Sequence, residues 1–417
     1  MATWGGSTES SCSSADIARV DRTAHWLNVV THLDPSFGGL SSSVPALSAG
    51  VAALDRHRVS IGAFCLPHEM FSREGDSDVT IMEWPAMRWE WIKDRNLRSA
   101  FSEVVKEADG VHIHGLWEQS TFAAATAARR HKRPYIVSAH GMLEKWALAN
   151  RRVKKAIYSA LVEKTNVLRA TCLHALTRAE AQDYIAYGAK QPIAVIPNGV
   201  QVPKDISPVS FLQQFPDLKD KRLVLFLGRI HFKKGLDVLV DAWSSIAGDY
   251  PEAKLVLAGP DCEGTQEIIE RAIRHASLES RVTFTGMLRG EMKWSALAAA
   301  ECFVLPSYSE GLSVAVLEAM GSGLPVIVSH ACNLPEIARR GAGWVIRPEV
   351  DSLTEALRQC LSSSWAANQQ VGNNGRAFVS EEFSWPSVAR RMSDLYAWVL
   401  GGGSEPGSFE MLSPERL

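Results

Sequence analysis

An α/β fold of two doubly wound domains is what this sequence predicts, and three observations predict it. Short apolar runs of strand length alternate with amphipathic segments along the chain, the runs fall into two series, and a Pro and Asn-Gly marked stretch divides the series. At 417 residues the chain also exceeds the size at which one hydrophobic core usually stops growing.

The elements follow in order. Residues 1–23 are rich in Ser and lack a basic start followed by an apolar region, so they read as a disordered leader and not as a signal peptide. Trp26 to Thr31, Val59 to Phe64, Gly110 to His114 and Tyr135 to Ser138 are strand-like runs of an N-terminal domain over 24–200. Ile196-Pro-Asn-Gly-Val closes it. The polar stretch 201–220, with Pro203, Pro208 and Pro216, reads as a linker. A second series starts at Arg222-Leu-Val-Leu-Phe-Leu and continues through Lys254-Leu-Val-Leu-Ala, Val282-Thr-Phe, Cys302-Phe-Val-Leu and Pro325-Val-Ile-Val, giving a C-terminal domain over 221–384. A helix over 385–400 follows, and the Gly-, Ser- and Pro-rich tail 401–417 is expected to be disordered.

Composition narrows the function. With 44 basic and 46 acidic residues there is no bulk field to attract nucleic acid. Seven scattered cysteines, never in a C-x-x-C arrangement, argue against a disulfide framework and a zinc site and fit a reducing, cytoplasmic setting. No apolar run approaches the ~18 residues that span a membrane.

In open parallel sheets ligands bind beyond the carboxyl ends of strands, so the residues there carry the chemical reading. The run Leu223-Val-Leu-Phe-Leu ends in Gly228-Arg229, and Lys234-Gly235 opens the next helix. An Arg fork and a Lys point charge together could hold a diphosphate and stabilise it as a leaving group; for this pair alone a solvated basic turn is the alternative. After Cys302-Phe-Val-Leu comes Ser309-Glu-Gly-Leu-Ser-Val-Ala-Val-Leu-Glu-Ala-Met320, in which Ser313 is an N-cap candidate and the amides of Gly311, Leu312, Ser313 and Val314 form an anion site at a helix start. At ~1.5 Å per residue, Glu318 lies about 7 Å along that helix, near the span from a diphosphate to ribose hydroxyls, which a carboxylate can accept from. Glu310 faces the other end of the diphosphate. Phe37-Gly38-Gly39-Leu40 lets backbone amides approach a diphosphate from the opposite side, with a plain tight turn as the alternative.

These residues resemble a known family. Glu310 and Glu318 match the E-x7-E motif, and Gly228-Arg229 with Lys234-Gly235 matches the G-R…K-G element, of retaining glycosyltransferase family 4. Glu318-Ala-Met-Gly-Ser-Gly-Leu-Pro-Val resembles that family's EAMACGxPVV, and Ser138-Ala-His140-Gly141, Ile196-Pro-Asn-Gly-Val and Phe383-Ser-Trp385 extend the likeness over nearly all of the folded chain. The resemblance implies a GT-B fold, two Rossmann-like domains facing across a cleft, with the donor on the C-terminal one and the final helix crossing back to the N-terminal one. It implies diphosphate binding by Arg229 and Lys234, ribose binding by Glu318, and donor-sugar binding by Glu310 and the amides after it. It also implies that His140 contacts the donor sugar near the reacting carbon; a histidine satisfied by backbone is the alternative. Gly311-Leu312-Ser313 departs from the family's frequent Gly-Phe-Gly or Gly-Leu-Pro, which leaves the donor sugar open.

Three further features bear on the site and its surroundings. His112 and His114, alternating along one strand, are expected to face opposite sides, His112 as structural and His114 as a cleft neighbour. Asp76-Ser-Asp78 spells D-x-D but falls in a polar turn, where two exposed acids are ordinary, so no metal is assigned. Arg151, Arg152, Lys154 and Lys155 beside an apolar stripe fit either a helix resting on anionic lipid or a solvated basic face.

The expected activity is retaining, metal-independent and cofactor-free glycosyl transfer from a nucleotide-diphosphate sugar to a glycan acceptor, lipid-linked or polysaccharide, with Trp117 and Trp146 near the acceptor loops. A GT-B epimerase or glycosyl phosphorylase, or a non-catalytic glycan-binding subunit, are the alternatives.

Overall fold

The strand β1 (Ala24–Val30) has six of its seven residues buried, the signature of a parallel strand covered on both faces. The structure, a computed structural model, describes residues 23–34, 39–65, 79–85, 95–144, 158 and 162–413. β1 pairs in parallel with β2 (His57–Cys65) on one side and β4 (Gly110–His114) on the other, and β3 (Thr80–Pro85) extends the sheet beyond β2. Beyond β4 come β5 (Tyr135–Ser138), β6 (Cys172–Ala175) and β7 (Ile193–Val195), all parallel.

The second sheet has six strands: β8 (Arg222–Leu227), β9 (Ala253–Ala258), β10 (Val282–Gly286), β11 (Cys302–Leu305), β12 (Val326–Ser329) and β13 (Gly343–Ile346), in the order β10-β9-β8-β11-β12-β13. Both sheets therefore run outward from their first strand and then reverse, so each has a switch point, between β1 and β4 and between β8 and β11. A crevice opens at the carboxyl ends of the strands there. The two expected domains are present, with β3, β6, β7 and β13 added to the runs legible in the sequence.

Helix α1 (Leu40–Ala52) follows β1, and in the second half α3 (Leu236–Ile246), following α2 (Arg178–Tyr187) of the first half, packs Leu236, Leu239, Trp243 and Ile246 into the core. Helices α4 (Gly290–Ala299), α5 (Val314–Gly321) and α6 (Trp365–Glu382) are further parts of the C-terminal domain's cover. The final helix α7 (Trp385–Gly401) does cross back: Val388, Ala389, Met392, Leu395 and Tyr396 join Trp26, Leu47, Val51 and Ile136 in one apolar cluster. Tyr396 stacks on Trp26 with ring centroids 4.0 Å apart. The loop after β7 needs Gly199 where it meets the start of α7, since a Cβ there would lie 2.5 Å from the Trp385 ring.

Three expectations are corrected. The stretch 201–220 is no linker: Val209–Gln214 is helical, Phe211 and Leu218 are buried in the C-terminal core, and the Phe211 N–H donates to Ser295 Oγ at 2.9 Å. Phe211, Leu212, Phe215 and Leu218 recur at helical spacing, an amphipathic signal that the neighbouring prolines hide. The tail is not wholly irregular either. Its β14 (Glu410–Leu412) pairs antiparallel with β7 and buries Met411 and Leu412. An edge strand leaves a row of unpaired backbone groups, and even three residues relieve it. Lastly, residues two apart on a strand share a face. His112 and His114 do so, their ring centroids 4.0 Å apart and both buried.

Candidate active site

The end of β8 passes through Gly228 and Arg229 into a 3-10 turn, Phe232–Lys234, capped by His231, whose Nδ1 accepts from the Lys233 N–H at 3.1 Å. Gly235 closes the turn at φ +68, and a Cβ on it would lie 2.1 Å from the Pro306 carbonyl oxygen at the end of β11. The Lys-Gly pair therefore docks backbone to backbone across the switch point, which only glycine allows. The Tyr308 N–H donates to the Lys233 carbonyl at 2.8 Å and fastens the two loops.

That docking brings Lys234 Nζ to 2.5 Å from Glu310 Oε1, and Ser307 Oγ donates to the same oxygen at 2.6 Å. The Glu310 backbone is held too: its N–H donates to the Ala331 carbonyl, and Asn333 Nδ2 donates to its carbonyl at 2.6 Å. Behind it α5 begins at Val314 after Ser313, which makes no side-chain cap bond. The first-turn N–H groups of that helix therefore receive no side-chain cap from Ser313. Gly311 and Leu312 lie on the approach to this helix start, and Gly228 stands against Phe226 and Lys234 at the other wall.

Glu318, one turn along α5, is buried, and Lys293 Nζ of α4 donates to its Oε1 at 2.5 Å. Burial raises its pKa while Lys293 pulls the other way. Arg229 is exposed and makes no ion pair among the described residues. Each expected glutamate thus carries a lysine, one anticipated and one not: Lys293 sits in Gly290-Glu-Met-Lys-Trp with no motif to mark it.

Across the crevice, the β5 end carries His140 in the left-handed region at φ +52, followed by Gly141 at φ +77. The Gly141 N–H donates to Glu180 Oε1 and the Leu176 N–H to Glu180 Oε2, both at 2.7 Å. Glu180 therefore ties the His140 loop to the start of α2. Its carboxyl is pushed up to about 7 by burial, against the pull of those two bonds. The Thr177-x-x-Glu180 pattern is that of a capping box, of which one arm forms: the Thr177 hydroxyl accepts from the Glu180 N–H at 3.2 Å, while the Glu180 carboxylate goes to Leu176 and Gly141 instead. Glu144, from the same loop, accepts from Ser309 Oγ at 2.9 Å and Lys233 Nζ at 3.3 Å, and so spans the two domains. Neither glutamate was anticipated.

Gly39 precedes α1 and its carbonyl accepts from the Ser42 and Ser43 N–H groups. Gly38, Asp76, Asp78, Trp146 and the basic residues Arg151, Arg152, Lys154 and Lys155 lie outside the described residues. Trp117 lies beyond the carboxyl end of β4 at φ +69, its ring 6.4 Å from that of Tyr158. Among the described residues His231, Cys262 and Glu263 approach closely enough to share a cation, but the His231 Nδ1 bond to backbone puts the ring proton on Nε2, facing Glu263 at 3.5 Å. That nitrogen suits an ion pair better than ligation.

Residues 211–378 match the family described as glycosyl transferases group 1, and residues 38–199 match the glycosyl transferase 4-like domain. The chain belongs to the group 1 glycosyltransferases. It is 25% identical over 391 residues, 88% of this chain and 97% of the relative, to the GDP-mannose-dependent monoacylated alpha-(1-6)-phosphatidylinositol monomannoside mannosyltransferase of Corynebacterium glutamicum. It is 24% identical to the GDP-mannose:cellobiosyl-diphosphopolyprenol alpha-mannosyltransferase of Xanthomonas campestris, over 90% of this chain and 97% of that one. Among solved structures, HepE of Anabaena in complex with UDP-glucose superposes with a TM-score of 0.69 at 18% identity, over 89% of this chain and 99% of that one. The fold is GT-B, and the enzyme is a glycosyltransferase that uses a nucleotide sugar.

Proposed function

We propose that this glycosyltransferase transfers a hexose, with retention and without a metal ion, from a nucleoside diphosphate sugar to a lipid-linked or polysaccharide acceptor. The observation that carries the reading is the uncapped start of α5 flanked by Lys234–Glu310 on one side and Lys293–Glu318 on the other. A diphosphate seated on those amides meets Lys234 and Arg229, cations that stabilise it as a leaving group and do a metal's electrostatic work. Glu318 takes the ribose hydroxyls and Glu310 the donor sugar, while His140 faces the sugar from the other domain. Two relatives named for GDP-mannose act on lipid-borne acceptors, which supports an acceptor of that class.

The test is incubation with GDP-mannose, UDP-glucose and related donors together with a polyprenyl-diphosphate-linked or phosphatidylinositol-linked glycan, in EDTA, with the product anomer read by proton NMR. The reading expects the donor's anomeric configuration in the product and undiminished turnover in EDTA. An inverted product, or activity abolished by EDTA and restored by manganese, overturns it.

A further inference from the structure

Asn28, Ser138, Tyr396 and four histidines form one hydrogen-bonded chain through the N-terminal domain. His174 Nε2 contacts the Ile196 carbonyl at 2.7 Å, and its Nδ1 lies 2.6 Å from Ser138 Oγ. Ser138 Oγ is also 2.6 Å from His112 Nε2, and His112 Nδ1 is 2.9 Å from the Tyr396 hydroxyl. One end of the Asn28 amide meets both the Tyr396 hydroxyl at 3.0 Å and His114 Nε2 at 2.9 Å. His114 Nδ1 then reaches His140 Nε2 at 3.1 Å. The chain begins beside the inter-domain connection, passes the returning helix α7 and ends at the cleft.

Each contact needs one donor and one acceptor, so direction propagates along the chain. A carbonyl only accepts, which places a proton on His174 Nε2. Burial disfavours the charged ring throughout: it pushes His174 down to about 4 and His140 to about 3, and holds His112 and His114 well below the usual range. Neutral His174 then accepts at Nδ1 from the Ser138 hydroxyl. Ser138 in turn accepts from His112 Nε2–H, and His112 Nδ1 accepts from the Tyr396 hydroxyl. Tyr396 has spent its proton and must accept from Asn28, so the end of the amide facing it is nitrogen.

The opposite assignment, with Asn28 Oδ1 inward, leaves Nδ2 buried without a partner. It also leaves Ser138 with one proton for two accepting histidines, unless His174 is charged. With nitrogen inward, Ser138 has one acceptor for its one proton and both amide hydrogens of Asn28 have acceptors. Asn28 Nδ2 donates to Tyr396 and to His114 Nε2, His114 Nδ1–H donates to His140 Nε2, and the His140 proton resides on Nδ1, the ring nitrogen that no described residue engages.

We propose that Tyr396 is a positioning residue for His140: through this one-way chain it holds the His140 ring in its Nδ1–H tautomer, so that His140 offers the cleft a hydrogen-bond donor and not a base. The consequence for turnover rests on the transfer reading above; the tautomer does not. A donor there suits a neutral or negatively charged oxygen of the donor sugar or diphosphate. The chain also makes the orientation of His140 depend on docking of α7, the element returned from the other half of the molecule.

The experiment is nitrogen-15 NMR of the full chain labelled at histidine, with no substrate added, His140 being assigned by its loss in His140→Gln. The expected result is a protonated Nδ1 and an unprotonated Nε2 for His140. In Tyr396→Phe and in Ser138→Ala the pattern should become mixed or reversed, and kcat should fall about five- to tenfold with the donor KM within about twofold, the scale of one lost hydrogen bond. A wild-type His140 protonated on Nε2 overturns the assignment. If both variants fold, by near-ultraviolet circular dichroism, and keep both the Nδ1–H pattern and full kcat, Tyr396 has no positioning role. Should Tyr396→Phe lose its fold because the Trp26 stack is disturbed, Ser138→Ala decides alone, since it removes one oxygen remote from that stack. If no donor is turned over, the transfer reading fails while the NMR result still judges the tautomer.

Discussion

The two halves share a sheet order and differ in what lies inside. The C-terminal sheet is packed on both faces by aliphatic and aromatic side chains in one continuous cluster, and its charged groups stand at the strand ends as lysine–glutamate pairs. The N-terminal sheet is threaded by polar groups on its central strands: Asn28 on β1, His112 and His114 on β4, Ser138 on β5 and His174 on β6. Polar groups taken from water must find partners, so such a sheet is specific about orientation in a way an apolar one is not. The donor half thus presents charge on a stiff apolar platform, whereas the facing half fixes the direction of a single ring.

The largest expected effect is in the donor half. Lys234→Ala removes the partner of a nearly buried carboxylate and the cation proposed for the leaving group, and turnover should drop by about a hundredfold or more. Steady-state kinetics on a correctly folded variant checks it, and a loss under threefold would place the leaving-group charge elsewhere.

Next, Glu318→Ala and Arg229→Ala should each weaken nucleoside diphosphate binding at least about tenfold, since charge-assisted contacts contribute about 1.5 to 3 kcal/mol. Calorimetry reads this directly. Glu310→Gln sharpens the contrast, because it should leave free nucleotide affinity within about twofold while lowering turnover. Equal loss of both would remove the distinction between the two glutamates.

Within the N-terminal half, two sets of groups give the pH dependence of stability opposite signs. The four histidines of the chain have folded pKa values below the ordinary 6.5, so their contribution is complete above pH 6.5 and is lost as pH falls, toward about 4 for His174 and about 3 for His140. Glu163 and Glu180, both raised to about 7 from 4.5, contribute fully below pH 4.5 and lose that contribution as pH rises through 7. The terms oppose one another between 4.5 and 6.5, where the histidines outnumber the glutamates, and only the glutamates act above. Each group changes the slope by up to about 1.4 kcal/mol per pH unit. Denaturant titrations should therefore find greatest stability near pH 6.5, and Glu180→Gln should flatten the alkaline decline; a stability that keeps rising through pH 8 in the parent would contradict this balance.

The smallest effect concerns Glu144. Its contacts to Ser309 and Lys233 are partly exposed, so Glu144→Ala should cost under about 1 kcal/mol of stability. Scattering that shows a more open average separation of the domains would confirm its bridging role, and an unchanged profile would remove it.

Much of the candidate site in the C-terminal half was legible because its parts are local. Glu310, the helix start at Ser313 and Glu318 lie within one strand-loop-helix, and Arg229, Lys234 and Gly235 within another, so strand period, loop and helix rise place them without knowledge of the rest. Apolar runs likewise set the two doubly wound halves, because strands covered on both faces must be continuously apolar. Tertiary structure decided what depends on distant partners. Lys293 reaches Glu318 from 25 residues away, and the Tyr396 hydroxyl meets Asn28 across a separation of 368. A three-residue strand in the tail forms only because β7 offers it an edge. Sequence spacing governs which side of an element a residue occupies; whether that side meets a charge, a proton donor or an open edge is set by elements that the chain brings there only once it has folded.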